Sequence, residues 1–350
     1  MCYWGEALAL GPNINAPMEA EAAPLAYAAM RKAVSLSGDV TPKERALIEA
    51  LQARYGPDGR ALRAQRDTDY AKAMLVVAST FPEDDNIQAL AAEAMMDAQP
   101  WDYWQADYRT PKGRTTQILT LIEKVLARNP DHAASIHLYI HMTEASNDPY
   151  RAEAGADRLS ALAPAAGHLV HMPSHTYHRV GRYIDAYRIN VAAVKANEAY
   201  FAQSQSSPLY EYGYYTHNIH SALTSAQMSG DRDAALGLAQ KLDEKMPADM
   251  VRLAPWVQAI KVAPYFAYVQ FRSDKALMAL ADPGGELPYL QAMWHYARGE
   301  AMARKGDLDA ALQEAQAAEA LADNPAMKSL AANGLPAPTL ARIAAEVVRA

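Results

Sequence analysis

The sequence predicts an all-α protein built from a repeated pair of helices, and three observations carry that reading. Alanine, leucine, glutamate, glutamine and arginine dominate, while alternating β-branched runs are scarce. Turn signals recur along the chain at Gly11-Pro12, Phe81-Pro82, Pro130-Asp131, Asn147-Asp148-Pro149, Pro164, Gly181-Arg182, Gly230-Asp231, Pro247, Gly306-Asp307 and Pro325. Their separations repeat: Pro130 to Pro164 and Asn147 to Gly181 are both steps of 34 residues. Helices of about 12–16 residues fit between the turns.

Bulk composition sets the bounds. With 350 residues, 51% hydrophobic and 21% charged, the chain has ample material for a large core or a continuous repeat interior. Its net charge of −7 is spread without long blocks of one sign, which argues against nucleic acid or an anionic membrane surface as partner. One cysteine, Cys2, excludes an intrachain disulfide framework and a multi-cysteine zinc or iron–sulfur site. Metal chemistry in this chain would therefore use imidazole and oxygen. No apolar run is long enough for a membrane span. The opening residues lack the basic segment of a signal peptide and read as the inside of an uncapped amphipathic helix. The expectation is that the true N-terminus lies further upstream, which leaves the compartment undetermined.

In chain order, the first helix stops at Gly11-Pro12, where Asn13 and Asn15 occupy a turn. A repeat ends near Met96, and an aromatic insertion at residues 100–113 separates it from a helix at residues 115–128. Four segments then align without gaps on the turns at Asn147, Gly181, Gly230 and Gly306. Five residues after each turn stands an alanine, at Ala152, Ala186, Ala235 and Ala311, where a small side chain lets two helices approach closely. A second insertion, 197–213, stretches the spacing between the Gly181 and Gly230 turns and leads into a run of tyrosines. Both insertions are long enough to fold over a groove.

Histidines punctuate this pattern. His168, His171, His175 and His178 fall at i, i+3, i+7 and i+10, the stripe of one helix face. Upstream, His137, His141 and Glu144 give i, i+4, i+7, and downstream His217 and His220 give i, i+3. Eight of the ten histidines belong to these three segments.

A 34-residue helix pair with alanine at that place resembles the tetratricopeptide repeat, over about three-quarters of the chain. The Trp/Leu-Gly/Tyr signature is thin in the first helices, and Pro173 stands where an aliphatic residue belongs. Four stretches together look like a bacterial tetratricopeptide family of uncharacterised function: Trp4-Gly5-Glu6-Ala7-Leu8, Pro100-Trp101-Asp102-Tyr103-Trp104, Tyr139-Ile140-His141-Met142-Thr143-Glu144-Ala145-Ser146 and Gly167-His168-Leu169-Val170-His171-Met172-Pro173-Ser174-His175. The resemblance implies one right-handed α-superhelix over residues 1–350. It also implies further repeat sequence upstream, often behind an export leader, and hence a periplasmic or secreted location. It implies a fold and a site but no reaction.

The same resemblance assigns faces. Positions 2, 5, 9 and 12 of each first helix line the concave groove, and counting back from the turns puts all eight clustered histidines there. Neighbouring first helices lie roughly 9–10 Å apart, and i, i+4 residues about 5–6 Å. His137, His141, His171 and His175 are therefore expected to form a four-cornered patch able to hold a transition metal, with zinc, copper, iron and nickel suited to imidazole. Glu144 and His178, one turn further on, are candidate catalytic groups, while His168, His217 and His220 are alternative ligands or orienting partners. Leu138 rules out the zinc-protease motif, which needs glutamate there. Trp101, Trp104, Tyr212 and Tyr215 are expected to roof the groove. Pro173 either kinks the histidine helix or starts a new one.

The leading functional expectation is metal-dependent catalysis on a small organic substrate in the groove, hydrolytic or oxidative. A second is a scaffold for a peptide or protein, its histidines tied into a hydrogen-bond network with Tyr139, Tyr177, Thr143 and Ser174. Metal storage or transfer without turnover is the third.

Overall fold

A computed structural model describes residues 1–59 and 61–350. Among the described residues there is no strand; the chain is all-helical, as its composition predicts. It divides into two compact units, residues 1–162 and 163–350. The first unit holds α1 (Cys2–Ala9), α2 (Ala22–Ser35), α3 (Pro42–Leu51), α4 (Arg63–Thr80), α5 (Asp85–Asp97), α6 (Thr115–Arg128), α7 (Ala133–Thr143) and α8 (Glu153–Leu162). The second holds α9 (Gly167–His171), α10 (Pro173–Arg179), α11 (Tyr183–Phe201), α12 (Thr216–Ser229), α13 (Arg232–Lys245), α14 (Ala248–Leu253), α15 (Gln258–Lys261), α16 (Ala263–Phe271), α17 (Asp274–Met278), α18 (Pro288–Lys305), α19 (Leu308–Leu321), α20 (Pro325–Ala332) and α21 (Ala337–Arg349). Among the described residues no helix is long and apolar enough to cross a membrane.

In the first unit, helices α4 to α7 pack each on the next in chain order. Side chains at their contacts are small or pliable, among them Ala71, Met74, Ala91, Ala92 and Met95, all fully enclosed, so helix axes come close without voids. Polar residues start these helices. Thr41 and Glu44 form a reciprocal capping box on α3, Asp84 accepts from the Ile87 amide on α5, and His132 accepts from the Ser135 amide on α7. The insertion between α5 and α6 is a loop with its own hydrogen bonds. The Gln99 amide bridges Asp102 O and the Arg114 N–H, Thr115 Oγ1 donates to Tyr103 O, and Trp104 Nε1 donates to Met142 O at the end of α7.

The four turns that align the sequence do separate helices. Gly230 and Gly306 end α12 and α18 in the left-handed region (φ 76° and 78°), where a β-carbon is disfavoured. The aspartate after each, Asp231 and Asp307, then caps the next helix by accepting from the amide three residues on. A Gly-Asp pair thus closes one helix and opens its partner within two residues. The alanines five residues past the turns are buried, Ala152, Ala186, Ala235 and Ala311 alike. Ala235 packs into the core of the second unit with Leu223 and Ala226 of the facing helix.

Overpacking that contact tests it. Ala235→Leu is expected to destabilise the protein by about 1–3 kcal/mol. Leu308→Ala, at a side chain 66% exposed, is expected to stay within about 0.5 kcal/mol, both read as shifts of the urea midpoint at unchanged slope.

Candidate metal centre

The histidine stretch of the second unit is one helix in sequence and two in structure. Pro173 has no N–H to give Leu169, so α9 ends at His171 and Pro173 takes the first position of α10. Met172 between them stays helical (φ −50°, ψ −38°), and the His175 amide bonds one residue short, to Met172 O at 3.2 Å. Both expectations for Pro173 are partly met: a new helix starts there, and it continues the old one through a bend.

Three imidazoles converge across this bend. His171 Nε2 lies 2.8 Å from His175 Nε2 and 3.1 Å from His217 Nε2, the last delivered by the first turn of α12. The candidate ligand nitrogens of the three all lie within 4.8 Å of one another. Metal–nitrogen bonds of about 2.0–2.1 Å in a tetrahedron put nitrogens about 3.3–3.4 Å apart, so small ring rotations would admit an ion. His171 is buried, whereas His175 and His217 keep some exposure. Burial holds the His171 pKa well below the ordinary imidazole value, and the neighbouring His217, His175 and His168 add to that. It is therefore neutral, the form that binds metal. Its other nitrogen, Nδ1, lies 2.5 Å from Asn190 Oδ1 and 3.3 Å from Ser174 Oγ.

A π-helical turn at Tyr210–Tyr215 leads into α12. Tyr215, expected as a roof, is instead buried in the core, its hydroxyl donating to Glu198 Oε1 at 2.8 Å. The tyrosine beside a histidine is Tyr214, edge-on to His168 with ring centres 5.2 Å apart. A π turn holds an extra residue compared with an α turn, so facings read on α-helical spacing slip here. Tyr212 is half-buried on the same turn. His168 lies next to the trio, its ring centre 6.1 Å from that of His171. His178 stands apart, edge-on to Tyr183, its pKa lowered mainly by desolvation. His220, half-buried one turn beyond His217, also lies outside the trio, and desolvation pulls its pKa down to about 4.

In the first unit, His137 and His141 sit on α7 with ring centres 4.8 Å apart. His141 is buried, and its Nδ1 lies 3.0 Å from Glu144 Oε1. Glu144 is thus positioned against a histidine's far nitrogen, where an ionised carboxylate can only accept and the ring must donate. Trp101 covers His141 edge-on at 5.0 Å, while Trp104 packs against the core. The four imidazoles expected as one patch therefore fall two to each unit, and within the second unit the third ring is His217.

Of the partners expected for a plain hydrogen-bond network, the Tyr139 hydroxyl donates to Glu123 and the Thr143 hydroxyl to Tyr139 O, while Ser174 Oγ lies 3.3 Å from His171 Nδ1. Tyr177 also carries the Arg182 guanidinium over its ring. Sequence reasoning missed Asn190, whose signal is an amide that shares the buried face of α11 with Ala186, Ala193, Val194 and a second amide, Asn197.

Fold and site together define a class: an all-helical protein with clustered histidines that can hold a metal ion. No family model matches the chain, and no curated protein matches its sequence.

His220 supplies a pH signature independent of metal. Its pKa is about 4 in the fold and about 6.5 unfolded, so the unfolded state binds the proton first. Stability is full above pH 6.5 and is lost as pH falls towards 4, by about 2–3 kcal/mol. Unfolding free energies from urea titrations at about pH 7 and about pH 4.5 are expected to diverge by that amount less in His220→Gln than in the parent.

Proposed function

We propose that this chain is a tetratricopeptide-type α-solenoid protein whose second unit binds one transition-metal ion through Nε2 of His171, His175 and His217. The convergence of those nitrogens, at 2.8 and 3.1 Å around the buried His171, is the observation that carries the reading. The solenoid assignment is supported by four helix pairs turning at Asn147, Gly181, Gly230 and Gly306 and by the buried alanine after each turn.

Three imidazoles with no thiolate suit zinc first, with copper and iron as competitors. Three protein ligands leave a fourth position for water or substrate, the arrangement of catalytic rather than structural zinc. A bound ion there would lower the pKa of its water and polarise a carbonyl or similar group, which points to metal-assisted hydrolysis of a small organic substrate. His168 and Tyr214 flank the trio on one side and would shape what approaches. The pair His137 and His141, with Glu144 behind it, offers imidazole ligands of the same kind in the first unit.

Metal analysis of untagged protein after reconstitution with zinc, copper or iron tests this. A bound equivalent is expected, and single changes His171→Ala, His175→Ala and His217→Ala should each weaken binding by more than the roughly 10–100-fold typical of losing an orienting partner. Uptake below about a tenth of an equivalent would sink the metal reading and leave the groove to a peptide or protein.

A further inference from the structure

The imidazole trio rests against one helix, α11, whose buried face carries two asparagines seven residues apart. Asn190 and Asn197 are both fully buried, and at that spacing they point the same way. Asn190 Nδ2 donates to Ala186 O at 2.9 Å, which leaves Oδ1 as the atom facing His171. An amide oxygen only accepts, so His171 Nδ1 must carry the proton. A neutral imidazole has one N–H, and His171 Nε2 is therefore left with its lone pair aimed at His175 and His217. Asn190 is sealed from bulk solvent.

Asn197 acts on spacing. Its Nδ2 donates to the Tyr210 hydroxyl and its Oδ1 accepts from Asn218 Nδ2, both at 2.8 Å, the latter from the residue after His217. On its other side it packs against Gly167, the first residue of α9, where a β-carbon would come within 2.6 Å of the amide. One side chain thus fixes the start of α9 against the start of α12. His171 and His217 meet although 46 residues separate them.

We infer that Asn190 and Asn197 are the positioning residues of the metal centre, Asn190 by selecting the His171 tautomer that presents Nε2 and Asn197 by setting the distance between the helices that carry His171 and His217. The inference rests on the proposed metal site, but its first half can be read without metal. Orienting partners of this kind typically change metal affinity about 10–100-fold.

The experiment uses full-length protein labelled with ¹⁵N-histidine, metal-free, with long-range ¹H–¹⁵N spectra reporting which ring nitrogen is protonated; His171→Ala assigns the signal. The parent is expected to show a single Nδ1–H tautomer at His171. Asn190→Leu, which removes the acceptor, should show mixed tautomers and bind zinc about 10–100-fold more weakly. Gly167→Ala, crowding Asn197, should weaken zinc binding while leaving the His171 tautomer unchanged. An Nε2–H tautomer in the parent or parent-like behaviour of Asn190→Leu would overturn the role of Asn190. Unchanged zinc affinity in Gly167→Ala would overturn that of Asn197. A parent with the Nδ1–H tautomer that binds no metal would instead defeat the metal reading and leave the tautomer assignment standing.

Discussion

A neutral imidazole inside a protein must find a hydrogen-bond acceptor for one nitrogen and a donor or a metal for the other, and leaving either need unmet costs about 1–3 kcal/mol. The second unit is organised by that requirement. His171 is buried, so both of its nitrogens are answered by protein atoms: Asn190 and Ser174 on one side, His175 and His217 on the other. Each answer constrains a different element. Asn190 ties α9 to α11, His175 carries the demand across the bend into α10, and His217 brings in α12. An apolar residue at 171 would place none of these demands on its neighbours.

Helix packing makes such a layer possible without voids. Polar groups can be enclosed only where the backbones holding them approach closely, and α11 presents Ala186 and Ala193 around Asn190 for that purpose. Gly167 does the same at the next level, giving Asn197 room that an alanine would take. The bend at Pro173 belongs to the same logic. It breaks the helical ladder between the two histidine pairs, yet His171 and His175 keep ring centres 4.8 Å apart, with their Nε2 atoms facing each other. The site tolerates a broken helix because side-chain contacts, more than the helix ladder, hold its rings in place.

Much of this was legible in the sequence, for reasons that can be stated. Turns at Gly230 and Gly306 were readable because glycine followed by aspartate has a local backbone meaning, independent of what packs nearby. The histidines were readable as a group because helical spacing is itself a local rule. What lay beyond reach was pairing over long separations. His217 ranked behind His137 and His141 because it stands at the second groove position of its helix, a turn away from the fifth and ninth positions that pair across neighbouring helices. The π turn at Tyr210–Tyr215 puts Tyr215 in the core and Tyr214 beside His168. Asn190 was invisible because its meaning comes from a ring 19 residues earlier, which nothing in the spacing of α11 points to.

For the proposed metal site, exposure across the trio favours exchange over storage. A site that only sequesters an ion gains from enclosing every ligand, since burial strengthens each electrostatic contact and slows exchange. Here the enclosure is graded. His171 is sealed and oriented from behind, while His175 and His217 keep part of their surface open. At the proposed site the deep ring would be a fixed anchor, and the two shallower rings a rim through which an ion, a water molecule and a substrate could be exchanged. Preorganisation at the back with access at the front is what metal-assisted chemistry needs, because the fixed ligands define where charge is stabilised and the open side admits what reacts.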